Sequence, residues 1–250
     1  MKNVLVVGSG ISGMGAIKLG KHCNYNMRLT TLSSINEEEK NRLNALGVDV
    51  EEGRHSINDI NWANIIVKSP GVPSNIPLID LARDSAIPII SEIEFAYRHT
   101  KSTIIAITGT NGKTTTSHLI YHILRDNGFD VALVGNIGVS FSEQLVRRPA
   151  EFYVVEMSSF QLEDIVDFKP NISVILNIQP DHLDRYDNNF QKYIETKMKI
   201  QANQDSADSF IYHGDDLNIE PFLSSIKAKK YSFSNSTNRS NNLGAFLDGD

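Results

Sequence analysis

The run Thr103-Ile-Ile-Ala-Ile-Thr-Gly-Thr-Asn-Gly-Lys-Thr-Thr-Thr-Ser117 constrains this 250-residue chain more than any other stretch. A β-rich apolar segment, Thr103 to Ile107, breaks into Gly109-Thr-Asn-Gly-Lys-Thr-Thr115. Leu119, Ile120, Ile123 and Leu124 then recur at helical spacing up to Asn127-Gly128, a helix stop. Strand, glycine loop and helix together make a phosphate cradle. The glycines let backbone N–H groups converge on an anion, and the helix N-terminus adds the positive end of its dipole. Lys113 is placed to reach the β- and γ-phosphates of a nucleotide, and the Thr114 hydroxyl to ligate the Mg²⁺ that accompanies them. The strict P-loop pattern has glycine where Ile107 stands, so this loop is a shortened variant. The competing reading is an ordinary βα turn that carries a lysine. It does not account for strand, loop and helix all falling where the chemistry requires them.

Composition narrows the class. A formal charge of −6 argues against a general nucleic-acid surface, so phosphate binding must be local. With a hydrophobic share of 40% and a charged share of 22%, the chain is an ordinary globular protein, of a length where one core gives way to two. One cysteine, Cys23, excludes an internal disulfide framework and suits a reducing compartment. Met1-Lys-Asn is followed by only four apolar residues, too few for a signal peptide, and no apolar run approaches the ~20 residues that span a bilayer. The expectation is a soluble, cytoplasmic protein without membrane insertion.

In the first hundred residues, Val4–Val7 reads as a buried strand leading into Gly8-Ser-Gly-Ile-Ser-Gly13 and a helix to about His22. This is a full G-x-G-x-x-G in the context of a dinucleotide-binding turn. The next strand, Met27–Leu32, should end near an acidic residue that holds a ribose; it offers Thr30, Thr31, Leu32 and Ser33. Two readings therefore stay open: a turn that approaches some anionic ligand, and a tight turn with none. The alternation continues with a helix at 36–46, a strand at 48–51 and a strand at Ile65–Val67 that ends in the loop Lys68-Ser-Pro-Gly-Val-Pro73. A helix at 76–84, a strand at 87–90 and a helix at 92–99 follow, with Thr100-Lys-Ser102 as the junction to a second unit. Alternation of this kind predicts parallel sheets covered on both faces, with ligands beyond the carboxyl ends of the strands. The fold class is α/β: a Rossmann-like parallel-sheet domain over 1–100, then a P-loop-type α/β ATPase domain over 101–250.

In the second unit each strand delivers polar residues at its carboxyl end. Val131–Val134 leads to Gly135-Asn-Ile-Gly138, Phe152–Val155 to Glu156-Met-Ser-Ser-Phe-Gln-Leu162, and Ile172–Ile178 to Gln179-Pro-Asp-His-Leu-Asp-Arg-Tyr186. Asn136, Glu156 and His182 are expected to converge near the γ-phosphate, a donor set that suits Mg²⁺. A polar helix at 189–201 carries Lys192, Lys197 and Lys199, all three read as solvated. A strand at 210–212, a short helix at 218–225, a strand at 231–233 and a polar loop at 234–242 complete the chain.

These residues resemble the Mur ligase family, the ATP-dependent amide-forming enzymes of peptidoglycan precursor synthesis. Gly109-Thr-Asn-Gly-Lys-Thr-Thr115 is similar to the family's ATP loop, and Gly135-Asn-Ile-Gly138 and Asp181-His-Leu-Asp184 follow in the family's order. Ser158-Ser-Phe-Gln-Leu-Glu163 and His182-Leu-Asp-Arg-Tyr186 resemble the member that adds D-glutamate; sibling ligases and folylpolyglutamate synthase share the ATP loop but usually lack the first run.

The resemblance implies ATP and Mg²⁺ as cofactors and UDP-N-acetylmuramoyl-L-alanine and D-glutamate as substrates of a monomer. It implies that Gly109, Thr110, Asn111, Gly112, Lys113, Thr114 and Thr115 bind ATP, and that Thr114 and Glu156 bind one Mg²⁺. His182 would bind a second with Lys197, if that lysine is carbamylated as the family's equivalent is; Lys113, His182 and Lys197 are thus the catalytic set. Asn136, Ser158 and Gln161 look like substrate contacts, and Ile11, Ser12 and Ser69 line the uridine side of a UDP site at the N-terminal glycine turn. One departure is that the family's uracil-contacting aspartate falls at Thr31. The resemblance covers two of the family's three domains, so the expectation is a chain that binds nucleotide but does not by itself form the amide. The remaining alternatives are a nucleotide- and UDP-sugar-binding fragment and another ligase of the Mur or folylpolyglutamate type.

Overall fold

The computed structural model describes residues 2–234 and 244–246. It divides into two units, one of residues 1–101 with 139–149 and 164–166, the other of 102–138, 150–163 and 167–250.

The first unit is built on a five-stranded sheet in the order β3-β2-β1-β4-β5, every pairing parallel. The strands are β1 (Asn3–Val7), β2 (Asn26–Thr31), β3 (Asp49–Glu52), β4 (Ile65–Lys68) and β5 (Ile89–Ser91). Between them run α1 (Ile11–His22), α2 (Glu37–Ala45), α3 (Ile57–Trp62) and α4 (Pro77–Asp84), and α5 (Glu92–Tyr97) closes the series. Val4 to Val7 are fully buried on both faces, which is why β1 is a continuous apolar run rather than an alternating one. Leu5, Val7, Ile60, Ile66 and Leu78 form one core, each such side chain contributing about 1.5–3 kcal/mol on burial. The chain winds outward from β1 to β3, then returns to lay β4 on the other side of β1. The connections after β1 and β4 therefore diverge, and the glycine turn and the Ser69 loop stand at that switch point.

Helix α7 (Phe141–Arg147) lies in sequence among the second unit's elements but belongs to the first unit. Gly15 of α1 faces it so closely that a Cβ there would lie 1.9 Å from Ser140 Oγ. Lys18 of α1 pairs with Glu143 at 2.7 Å, and the buried Glu92 carboxylate accepts the Ser142 N–H. The sequence reading contains neither α3 nor α7. The signal for α7 is Ser140 three residues before Glu143, whose N–H the Ser140 hydroxyl accepts.

The second unit holds a seven-stranded parallel sheet in the order β12-β11-β10-β9-β6-β8-β7. Its strands are β6 (Thr103–Thr108), β7 (Val131–Gly135), β8 (Phe152–Glu156), β9 (Ile172–Ile175), β10 (Ser209–His213), β11 (Lys229–Ser234) and β12 (Gly244–Phe246). Helices α6 (Lys113–Asp126), α8 (Ser159–Leu162) and α9 (Phe190–Met198) accompany them. Ile120, Tyr121 and Leu124 of α6 pack on a core of Ile105, Ile107, Val131, Val154 and Val174. Leu119 and Ile123, expected on the same stripe, are more than half exposed.

Three element expectations need correction. β9 ends at Ile175, three residues before the expected Ile178, because the chain turns aside to meet the β6 loop. The helix expected at 189–201 is α9 followed by a 3₁₀ turn, Lys199–Gln201, with Asn189 as the cap. The helix expected at 218–225 is one 3₁₀ turn, Glu220–Phe222, containing Pro221. The polar loop expected at 234–242 falls, beyond Ser234, outside the described residues.

Gly13 and Gly10 separate packing from ligand approach. A Cβ on Gly13 would lie 2.0 Å from the Gly8 carbonyl oxygen, whereas nothing lies within 4 Å of one on Gly10. Gly13→Ala is expected to cost about 1–3 kcal/mol in urea unfolding, and Gly10→Ala less than about 1 kcal/mol.

Burial raises the Glu92 carboxyl from 4.5 to about 7, partly opposed by its bonds from Ser142. The folded chain then holds a proton that the unfolded chain, near 4.3, releases. Stability should therefore fall as pH rises from about 4.5 to about 7, by at most about 1.4 kcal/mol per unit, and level off above. Glu92→Gln, unfolded by urea from pH 5 to 8, should lack that slope.

Candidate functional site

The first unit's glycine turn is held by the β4 loop. Ser69 N–H bonds to Val7 O at 3.0 Å and Ser69 Oγ donates to Gly8 O at 3.1 Å. Gly8 has φ +98°, and a Cβ there would meet Ser69 and Val72 at 3.0 Å, so only glycine fits this turn. Ser69 is buried, Ser12 half-buried and Ile11 67% exposed, so of the three residues read as lining a ligand, Ser69 is engaged in holding the turn. Thr31 is buried, its Oγ1 3.2 Å from Ser9 Oγ and accepting the Ser33 N–H. Beneath the loop the buried Lys68 amine pairs with Asp164 at 3.0 Å and donates to Val72 O.

In the second unit the strand ends gather a denser set. Register places Glu156 of β8 beside Ile107 of β6 on one side and Gly135 of β7 on the other. Asn136 N–H bonds to Glu156 O, and Asn136 Nδ2 donates to Glu156 Oε1 at 3.0 Å. Gly135 is at φ +108°, and a Cβ would strike Glu156 O at 2.2 Å, so the close approach of the two strand ends depends on it. Glu156 is 1% exposed, yet its Oε2 has no hydrogen-bond partner among the described residues. A buried carboxylate oxygen without a donor is costly and marks a place for a cation or a donor.

The glycine loop read as a phosphate cradle follows β6. Gly112, at φ +84°, caps α6; Thr114 and Thr115 in its first turn are exposed. Lys113 Nζ donates to Gly109 O at 2.9 Å and to Thr110 O at 2.8 Å.

Lys197 reverses its expected role. The helical periodicity reads it as solvated; the structure buries it to 1% exposure, with Nζ donating to Gly109 O at 2.8 Å and lying 4.7 Å from the centre of the Tyr193 ring. Burial, aided by the Lys113 charge and opposed by Asp181, lowers its amine to about 7. Lys192 and Lys199 are exposed as expected.

His182 is placed otherwise than the loop residues. Its side chain is 56% exposed, its ring lies 5.2 Å from Phe160, and its Nε2 is 3.5 Å from Asp181 Oδ2. Arg185 stacks on Phe160 at 4.4 Å and pairs with Glu163. Ser158 and Gln161 form the capping box of α8, so their mutual bonds account for their positions. Among the described residues no three His, Cys, Asp or Glu side chains gather as a metal cage. The Glu156 oxygen instead fits an ion such as Mg²⁺, which takes one or two carboxylates and completes its shell with phosphate and water.

Asn177, Gln179 and Tyr193 escaped the sequence reading, although all three touch the loop. Asn177 and Gln179 bond to Thr110 and Asn111, and the Tyr193 hydroxyl lies 3.3 Å from Thr110 Oγ1. No local pattern marks them, because their partners are 66 to 83 residues away.

The Mur ligase middle domain matches residues 107–249, more than half of the chain. The chain belongs to the Mur ligase family. It is 46% identical over 236 residues to a UDP-N-acetylmuramoylalanine--D-glutamate ligase of Bacteroides fragilis, covering 94% of this chain and 53% of that protein. It is 45% identical to the enzyme of the same description from Porphyromonas gingivalis, covering 89% and 48%. The chain thus spans about half the length of these Mur ligase relatives. Among solved structures, a UDP-N-acetylmuramate:L-alanyl-gamma-D-glutamyl-meso-diaminopimelate ligase from Neisseria meningitides superposes with a TM-score of 0.62 at 17% identity, covering 92% of this chain and 78% of that one. A UDP-N-acetylmuramate-alanine ligase from Thermotoga maritima gives 0.52 at 22%, covering 93% and 52%. These two show the shared α/β fold. No described helix is long and apolar enough to cross a membrane.

Proposed function

We propose that this chain carries the ATP site and the UDP-sugar site of the ligase that joins D-glutamate to UDP-N-acetylmuramoyl-L-alanine. The observation that carries the reading is the pairing of a Gly-Thr-Asn-Gly-Lys-Thr loop on β6 with the uncommitted buried oxygen of Glu156 on the adjacent β8. The relatives, UDP-N-acetylmuramoylalanine--D-glutamate ligases, supply the substrates of this reading.

In this reading the N-terminal amides of α6 and the Lys113 amine hold the β- and γ-phosphates. Lys113 exchanges its bonds to Gly109 O and Thr110 O for phosphate oxygens. Thr114 and Glu156 would hold Mg²⁺, which would supply charge neutralisation at the terminal phosphate. The substrate carboxylate attacks the γ-phosphorus, the bond to the β-phosphate oxygen breaks, and ADP and an acyl phosphate result. The D-glutamate amine then attacks the acyl carbon, loses a proton, and inorganic phosphate leaves. Both steps bring anions together, so positioning and neutralisation carry most of the catalysis. Asn136, oriented by Glu156, is set to donate to an oxygen of the reacting groups.

His182 and Lys197 would serve a second metal if Lys197 carries a carbamate. An amine lowered to about 7 has a large neutral fraction near pH 7, which reaction with CO₂ requires. In the first unit the open space over Gly10, beside the Ser69 loop, is the proposed seat of the UDP diphosphate.

Calorimetry tests both sites. Lys113→Ala is expected to weaken Mg-ATP binding at least tenfold, about 1.4 kcal/mol, with the melting temperature unchanged. Equal affinity would overturn the ATP site. Gly10→Val is expected to abolish binding of UDP-N-acetylmuramoyl-L-alanine while Mg-ATP affinity stays as in the parent chain; unaltered binding of the UDP sugar would overturn the second assignment. Incubated with ATP, UDP-N-acetylmuramoyl-L-alanine and D-glutamate, the 250-residue chain is expected to give no amide product by mass spectrometry; product at rates on the order of 1 s⁻¹ or more would overturn that expectation.

A further inference from the structure

Asn177 grips the phosphate loop at both ends of one residue. The Asn111 N–H donates to Asn177 Oδ1 at 2.9 Å, and Asn177 Nδ2 donates back to Asn111 O at 3.0 Å. The backbone joins in, with the Thr110 N–H on Asn177 O at 2.9 Å. Two residues on, the Gln179 N–H donates to Thr110 Oγ1 at 2.9 Å, Thr110 Oγ1 donates to Gln179 O at 3.1 Å, and Asn111 Nδ2 donates to Gln179 Oε1 at 3.2 Å. Six bonds thus tie residues 110–111 to residues 177–179.

This clasp divides the loop's amides into two classes. The N–H groups of Thr110 and Asn111 are already spent on Asn177. Those of Gly112, Lys113, Thr114 and Thr115 have no backbone acceptor among the described residues, since the first bond of α6 runs from Thr116 N–H to Gly112 O at 3.0 Å. Of the amides from Thr110 to Thr115, those of the second class are therefore the ones left for an anion. The first class sets the direction in which the second points, because the Thr110–Asn111 backbone leads straight into Gly112.

We propose that Asn177 is a positioning residue of the phosphate site: it commits the Thr110 and Asn111 amides to the scaffold and aims those of residues 112–115 at the phosphate. The proposal rests on the nucleotide reading above and refines it, since Thr110 and Asn111 then shape the site without donating backbone N–H groups to phosphate. Gln179 supports the same geometry through Thr110 and the Asn111 side chain. The early end of β9 follows from this role, for residues 177–179 must leave the sheet to reach the loop.

Residue-resolved amide hydrogen exchange on the 250-residue chain, with and without Mg-ADP, tests this. Thr110 and Asn111 are expected to be protected in both states, and residues 112–115 to gain protection only with Mg-ADP. In Asn177→Leu, Asn111 exchange should accelerate and Mg-ADP affinity fall about tenfold, the size expected for misaimed donors. Lys113→Ala should weaken binding while leaving Thr110 and Asn111 protected, which a general loosening of the loop would not do. A parent chain without any response to Mg-ADP overturns the nucleotide reading itself. A parent chain that responds, but whose Asn111 amide exchanges as fast as Gly112 before Mg-ADP is added, overturns the clasp alone. So does an Asn177→Leu chain with unaltered Asn111 exchange and affinity; the parent-chain comparison stands even if that variant does not fold.

Discussion

One backbone carbonyl, that of Gly109, receives two lysine amines. Lys113 reaches it from the first turn of α6 and Lys197 from the far end of α9. Burial disfavours the Lys197 ammonium, and the Lys113 ammonium on the same acceptor adds to this against the opposing Asp181, so Lys197 is lowered to about 7. The arrangement requires a loop backbone at φ +155°, at the edge of what only glycine adopts with ease. A Cβ at this position would also press on Leu176 at 3.1 Å. The pattern Gly-Thr-Asn-Gly-Lys-Thr is therefore more than a cradle for a ligand. Its first glycine also supplies the carbonyl that accepts a lysine 88 residues away.

The two units solve the approach problem by different means. In the first, the turn after β1 is closed by a serine from the neighbouring strand's loop and by a helix packed so tightly that Gly13 leaves no room for a methyl group. In the second, the loop after β6 is tied to the loop after β9 by side-chain carboxamides. Both devices act at strand ends flanking a switch in winding direction, where connecting loops diverge and would otherwise be loose.

Legibility in the sequence followed the range of the physics. Both glycine turns were readable because strand, loop and helix are consecutive, and each residue's task is local. Glu156 and Asn136 were readable because parallel strands deliver their ends to one edge. Lys197 was not: its helix is polar at 191, 192 and 195, and its burial comes from the Gly109 loop, distant in sequence. Thr31 likewise gave no hint that its hydroxyl would be occupied by Ser9 and Ser33. Helix α7 had a readable cap in Ser140 and Glu143, but its membership of the first unit was unreadable, since it rests on the small face that Gly15 presents.

That membership bears on the order of events during synthesis. Lys18 and Glu143 stand 125 residues apart, so α1 leaves the ribosome long before the helix that covers it. At roughly 5–20 residues per second, the glycine face of α1 waits several seconds or more, while β6, α6 and β7 are made. The N-terminal unit is thus discontinuous, and a cut at the apparent junction near residue 101 yields a piece lacking one of its own helices. Its completion requires that the chain first pass through the glycine loop after β6, which makes that loop an obligatory intermediate station in the nascent chain rather than a module appended to a finished domain.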